Sequence, residues 1–143
     1  MGVLQISPEN AWEVLKEKSN SILIDVRTEE ELNFVGGVDL SSIESISILI
    51  PWRVYPTNKV NESFKDQLFS FIEANFSNNS PQEINLLFLC RSGFRSLEAA
   101  EYISAFNYNC YNIINGFEGS VDSAGFRGTI DGWKAKNLPW KYN

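Results

Sequence analysis

The sequence of 143 residues contains no histidine. That absence removes every Cys–His and Ser–His catalytic pair and the commonest metal ligand. Any nucleophile in this chain has to be activated by something other than imidazole. Cysteine is scarce, with Cys90 and Cys110 the only two. Two do not make a disulfide framework, and a cytosolic chain keeps its thiols reduced. Long apolar runs are missing. The stretches 46–51 and 86–90 fall far short of the roughly 20 residues that span a membrane. The opening "MGVLQIS" has no basic segment followed by an apolar core, so no secretory signal is expected. Ile6 stands where a myristoylation pattern needs Ser or Thr. A cytoplasmic location with no membrane partner is the expectation. Positive charge is also short: 12 Lys and Arg face 18 Asp and Glu, for a net charge of −6. An acidic surface favours solubility and argues against a nucleic-acid partner.

What is present fits a globular fold. Hydrophobic residues make up 43% of the chain, which excludes disorder. A chain of this size buries roughly 68–70% of its unfolded surface and needs no staples, so one domain over 1–143 is expected. Short apolar runs alternate with helical patterns. Strands are expected at 3–6, 21–26, 46–50, 84–89 and 110–114. Ser7 and Pro8 read as N-cap and first residue of a helix. Thr28 to Glu31 has capping-box spacing and opens a short helix. Phe64, Leu68, Phe71 and Ile72 share one helix face, and Leu97, Ala100 and Ile103 or Ser104 mark another. The run "INLLFL" at 84–89 is apolar on both faces, as a central parallel strand is. This alternation is that of an α/β domain with a mainly parallel sheet. The tail 120–143, with Trp133 and Trp140, is expected to fold back over the core.

The chemistry concentrates in "LLFLCRSGFRSLEA" at 86–99. In an open parallel sheet, ligands bind beyond the carboxyl ends of the strands, and Cys90 sits at such an end. The helix that follows starts with unpaired N–H groups, whose dipoles favour an anion. Gly93 lets successive N–H groups curl inward into an anion nest. Arg91 and Arg95 add positive charge. A cysteine so placed is suited to react as a thiolate without histidine. Ser92 and Ser96 read as helix caps or loop donors. A buried cysteine at a strand end is by itself often a mere small hydrophobe; Arg91, Gly93 and Arg95 beside it favour reactivity. Cys110 has no such company and is expected to be structural.

The motif "CRSGFRS" after an apolar strand resembles the active-site loop of the rhodanese family, the sulfurtransferases. "LIDVRTEEEL" at 23–32, "YNIINGFEG" at 111–119 and "GWKAKNLPW" at 132–140 extend the likeness over nearly the whole chain, as a single-domain form. The resemblance implies five parallel strands with helices on both faces. It implies that Cys90 accepts a sulfane sulfur as a persulfide and passes it to a thiophilic acceptor such as cyanide or a thiol. It places Arg91, Ser92, Gly93, Phe94, Arg95 and Ser96 around the substrate, with Ser96 at the helix start. The partners are then a small anionic sulfur donor and that acceptor, or a sulfur-accepting protein, and no cofactor or metal is implied. Asp25 and Arg27 match the first family motif, either as an ion pair fixing the loop or in a direct role, with Glu31 in the same set. Where many members have "GH-I-x-G-A", this chain has "GGVDLSSIESISILIPW", so the turn beyond the short helix is built differently. Trp52 and Arg53 are expected at the pocket rim.

Two alternatives share these residues. Phosphatases and arsenate reductases also use a Cys-to-Arg loop, but with five intervening residues sized for a tetrahedral oxyanion. Here four lie between Cys90 and Arg95. The other alternative is a sulfur carrier or binding module serving a dedicated partner.

Overall fold

All five expected strands form, and in the computed structural model, which describes residues 2–142, they make one wholly parallel sheet. Met1 and Asn143, the ends of the expected domain, lie outside the described residues. In chain order the elements are β1 (Leu4–Ile6), α1 (Pro8–Glu17), β2 (Ser21–Asp25), α2 (Glu29–Val35), β3 (Gly37–Val38), β4 (Ile46–Leu49), α3 (Phe64–Phe76), β5 (Asn85–Leu89), α4 (Phe94–Ser104), β6 (Asn109–Ile113), α5 (Gly132–Ala135) and β7 (Trp140–Lys141). The sheet order is β1-β6-β5-β2-β4, so β5 lies at the centre. Among the described residues, no helix is long and apolar enough to cross a membrane.

Local signals account for the element starts. Ser7 Oγ accepts the Asn10 N–H at 3.1 Å and Pro8 occupies the first turn of α1. Thr28 and Glu31 cap each other reciprocally at the start of α2.

Strand alternation then divides the core in two. Ile22, Ile24, Leu86 and Phe88 point to one face, against Phe64, Leu68 and Ile72 of α3 and Ala99, Ala100 and Ile103 of α4. Leu23, Leu87 and Leu89 point to the other, against Ala11 and Leu15 of α1 and against Phe117 and Trp133. Each fully buried Leu, Ile or Phe contributes about 1.5–3 kcal/mol, which makes β2 and β5, covered on both faces, the rigid centre of the molecule.

The buried stripe of α4 is Ser96, Ala99, Ala100 and Ile103. Leu97 and Ser104, expected on that face, are half-buried beside it. The helix is rolled so that Ser96 faces the end of β5, and the two alanines let it approach the sheet closely.

The tail folds back as expected. Trp133 is fully buried, and its indole N–H donates to the Pro139 carbonyl at 2.8 Å. Trp140 in β7 pairs antiparallel with Val38 of β3. The turn after α2, built unlike the family pattern, is thus tied down by the end of the chain.

Candidate active site

The chain leaves β5 at Leu89 and enters α4 at Phe94, so Cys90 and the three residues after it must turn within one short loop. Gly93 makes this turn possible. It is the N-cap of α4, with φ +110°, a conformation that costs a side-chain-bearing residue free energy. Its N–H points back at the cysteine and donates to Cys90 Sγ at 3.1 Å. Ser96 Oγ lies 3.2 Å from the same sulfur. Cys90 is only 1% exposed, so its sulfur sits at the bottom of the loop and not on the surface.

A second turn holds the loop from the side. The Cys90 carbonyl accepts the Phe117 N–H at 2.8 Å, and the Arg91 carbonyl accepts from Glu118 and Gly119 at 3.0 and 3.1 Å. Gly116 must be glycine here. Its φ is +61°, and a Cβ would lie 2.4 Å from the Cys90 carbonyl oxygen.

The residues expected around the substrate separate into different roles. Arg91 is exposed, and Phe94 is 79% exposed at the loop's outer edge. Ser92 is partly buried. Neither serine caps the helix. Gly93 does so, because the left-handed turn falls there, and Ser96 lies inside the first turn of α4, fully buried. Its hydroxyl donates to Asn112 Oδ1 at 2.6 Å. Asn112 in turn donates from Nδ2 to the Gly93 carbonyl at 3.2 Å and to Gln5 Oε1 at 2.9 Å. Neither Asn112 nor Gln5 was among the expected site residues.

Arg95 reaches across to α2. It makes a bidentate pair with Glu31, at 2.6 and 2.9 Å. Glu31 therefore does two jobs: it completes the Thr28 cap and anchors the cysteine loop. Burial raises its carboxyl pKa, but the Arg95 hydrogen bond and charge, the Thr28 N–H and the Arg27 charge together outweigh that and hold it below the usual carboxylate value. A carboxyl whose folded pKa is depressed stabilises the fold above its unfolded value, about 4.3, and loses that contribution as pH falls through the folded one. Melting temperature is therefore expected to fall below about pH 4.3, and the part of this slope due to Glu31 is expected to vanish in Glu31→Gln. Parallel acid melts of the two proteins check this; identical slopes would contradict it.

Asp25 and Arg27 form a buried ion pair. Arg27 Nη2 meets Asp25 Oδ2 at 2.7 Å and Nε meets Oδ1 at 2.9 Å. Asp25 Oδ1 also accepts the Arg27 backbone N–H at 3.1 Å. The guanidinium carbon lies 4.4 Å from the centre of the Phe117 ring, so the pair braces the turn that clamps the loop. This is the structural one of the two roles considered for these residues.

Trp52 does not reach the pocket rim. It is 8% exposed, packed edge-on against Phe64 at 5.1 Å and against Tyr102 at 5.8 Å, with its indole N–H donating to Glu98 at 3.2 Å. Its backbone N–H bonds to the Val26 carbonyl, which prolongs the sheet edge and turns the large ring into the core. Arg53 lines a cavity that Cys90 does not line. This cavity, of about 250 Å³, is shared with Thr28, Glu31, Tyr55, Asn58 and Arg95 and lies outside the Glu31–Arg95 pair. Arg53 also meets Glu98 at 3.6 Å.

Cys110 is buried in the core opposite Leu86. Burial pushes its thiol pKa up to about 12, which favours the protonated form.

A family model described as "Rhodanese-like domain" matches residues 7–122. An uncharacterized protein of Rickettsia conorii, RC0915, is 36% identical over 143 residues, covering 99% of this chain and all of the relative. The crystal structure of Rv0390 from M. tuberculosis is 36% identical and superimposes with a TM-score of 0.83 over the whole of both chains. The solution structure of a polysulfide-sulfur transferase homodimer from Wolinella succinogenes is 19% identical, with a TM-score of 0.63 over 97% of this chain and 78% of that one, a likeness of fold.

Proposed function

The chain belongs to the rhodanese-like domain family, and from that premise we propose that it is a sulfurtransferase working through a persulfide on Cys90. The observation that carries this reading is the contact set of one sulfur atom. Cys90 Sγ lies at the carboxyl end of the central strand, with the Gly93 N–H at 3.1 Å and the Ser96 hydroxyl at 3.2 Å. The Gly93 N–H donates to the sulfur, and the Ser96 hydroxyl can turn its proton to it once it is charged; donors so placed favour the anionic forms of sulfur.

The reaction runs in two halves. The Cys90 thiolate attacks the outer sulfur of thiosulfate. A Cys90 S–S bond forms, the S–S bond of thiosulfate breaks, and sulfite leaves with the electron pair. Cyanide or a thiolate then attacks the terminal sulfur, takes it away as thiocyanate or a persulfide, and returns Cys90 as thiolate. Arg91, exposed and next to the nucleophile, attracts the anionic donor. The physiological acceptor is a small thiol or a sulfur-accepting protein, and no nucleic acid or membrane is involved.

Geometry also favours this over phosphate chemistry. In the shorter loop the Gly93 N–H rests on the sulfur itself, and the Arg95 guanidinium is spent on Glu31. Little is left to enclose a tetrahedral phosphate.

Intact-mass analysis tests the proposal. Thiosulfate is expected to add one sulfur atom, cyanide to remove it, and peptide mapping to place it on Cys90 and not on Cys110. The Cys90→Ser variant should take up none. Failure of any sulfane donor to load Cys90, or aryl phosphate hydrolysis well above that of Cys90→Ser, would overturn it.

A further inference from the structure

The hydroxyl of Ser96 has one proton and two claimants. One is Cys90 Sγ at 3.2 Å and the other is Asn112 Oδ1 at 2.6 Å. An amide oxygen cannot donate, so at the shorter contact Ser96 is the donor. The amide cannot turn round to relieve this. Its Nδ2 faces the Gly93 carbonyl at 3.2 Å, which only accepts, and Gln5 Oε1 at 2.9 Å. With its proton committed to Asn112, Ser96 offers the sulfur a lone pair, and the species that satisfies a lone pair is the thiol S–H.

We propose that Asn112 is a positioning residue for Cys90: by holding the Ser96 proton it keeps the resting cysteine protonated, and it releases that proton to the sulfur only when the sulfur is anionic. On ionisation the thiol proton leaves to solvent. The Ser96 hydroxyl then rotates to donate to sulfur, and Asn112 Oδ1 is left without its donor in a buried site, which opposes the change. The same side chain holds the Gly93 carbonyl, so both groups that touch the sulfur are fastened by one residue of β6. The inference rests on Cys90 being the sulfur-accepting residue.

The charges around Cys90 stay constant in this comparison. They are Arg91 in the loop, Arg95 of α4 paired with Glu31 of α2, and the Asp25–Arg27 pair at the end of β2. None touches Asn112, so a change at 112 leaves them in place.

The test is the rate of iodoacetamide alkylation of Cys90 against pH, with the site assigned by peptide mapping. Wild type, Asn112→Leu, Ser96→Ala and the double variant are compared. Asn112→Leu removes the competing acceptor at similar volume. Its profile is expected to move to lower pH, with alkylation below the wild-type midpoint about threefold to tenfold faster, the effect of one buried hydrogen bond. In the Ser96→Ala background the same substitution is expected to shift nothing, because no proton is left to compete for. Asn112→Ala, which needs no room for a larger side chain, repeats the comparison if Asn112→Leu does not fold.

A purely structural role for Asn112 would slow alkylation or leave the profile unmoved. Either result, or an equal shift with and without the Ser96 hydroxyl, overturns the inference. No sulfur donor is used. A shifted profile without persulfide formation would sink the sulfurtransferase reading alone, and persulfide formation without a shift would sink this one alone.

Discussion

Asp25→Ala is expected to lower the stability of the protein by about 3–5 kcal/mol, because it leaves a guanidinium in the core with no counter-charge. Arg27 is 0% exposed. Two of its three nitrogens reach the Asp25 carboxylate, and Nη1 has no hydrogen-bond partner among the described residues, so Asp25 is the carboxylate bonded to this guanidinium. The Arg27 backbone N–H loses its acceptor as well. For a domain of this size the loss amounts to a drop in melting temperature of about 10–20 °C.

Removing both charges is expected to do less harm than removing one. Asp25→Val with Arg27→Met replaces the pair by apolar volume and should recover much of the loss. Thermal melts of the single and double variants check this. A double variant as unstable as Asp25→Ala would mean that the pair's hydrogen bonds matter more than the stranded charge. The consequence reaches the site through the chain: the Val26 N–H bonds to the carbonyl of Leu89, the residue before the cysteine, at 2.8 Å, and Arg27 lies on the Phe117 ring. Sulfur loading should therefore fall in Asp25→Ala and return in part with the melting temperature.

Periodicity made the fold legible. Runs such as "SILID" and "NLLFL" are apolar at successive middle positions and buried throughout because both sheet faces are covered, and that pattern belongs to a central parallel strand. The caps of α1 and α2 were legible because Ser7, Thr28 and Glu31 accept N–H groups only three residues away and Pro8 takes the first helical position. The cysteine loop could be read for the same reason: Cys90, Gly93 and Ser96 are neighbours along the chain.

What could not be read depends on sheet order. Asn112 meets Ser96 because β6 lies beside β5, and meets Gln5 because β1 lies beside β6. No spacing along the chain encodes those adjacencies, and a lone Asn in a strand looks like an ordinary polar position. Gln5, 107 residues from Asn112 in sequence, carries no signal of its own. Trp52 was misplaced for a related reason. A residue just after a strand and a proline reads as loop, whereas its N–H continues the sheet bonding to Val26 and its ring goes inward. The pairing of Arg95 with Glu31 joins positions 64 residues apart; its place at the helix start suggests a brace for the loop, and only the approach of α2 shows that Glu31 is the partner.

That brace separates the two arginines of the loop. Arg91→Ala is expected to lower kcat/KM for thiosulfate by about tenfold at low ionic strength, the scale of electrostatic steering of a charged ligand, with the melting temperature unchanged. Its side chain is exposed, so the deficit should shrink as salt is added and the charge is screened. Arg95→Ala is expected to fail in both respects. It removes a bidentate, half-buried pair and strands Glu31, costing about 1–2 kcal/mol of stability, above the median for exposed pairs. It also withdraws a positive charge from the helix turn that follows the cysteine loop.

Glu31→Gln distinguishes these two contributions. It weakens the same brace, so melting should drop much as in Arg95→Ala, but the Arg95 charge stays and can swing back toward the sulfur. Activity in Glu31→Gln should therefore exceed that in Arg95→Ala at equal stability. A thiosulfate–cyanide assay run from low to high salt, with a thermal melt for each variant, gives all the numbers needed. If Arg91→Ala melts early, or if its loss persists in high salt, the steering role is wrong. If Glu31→Gln is as inactive as Arg95→Ala, the guanidinium serves the site through its grip on α2 and its charge adds nothing to the chemistry.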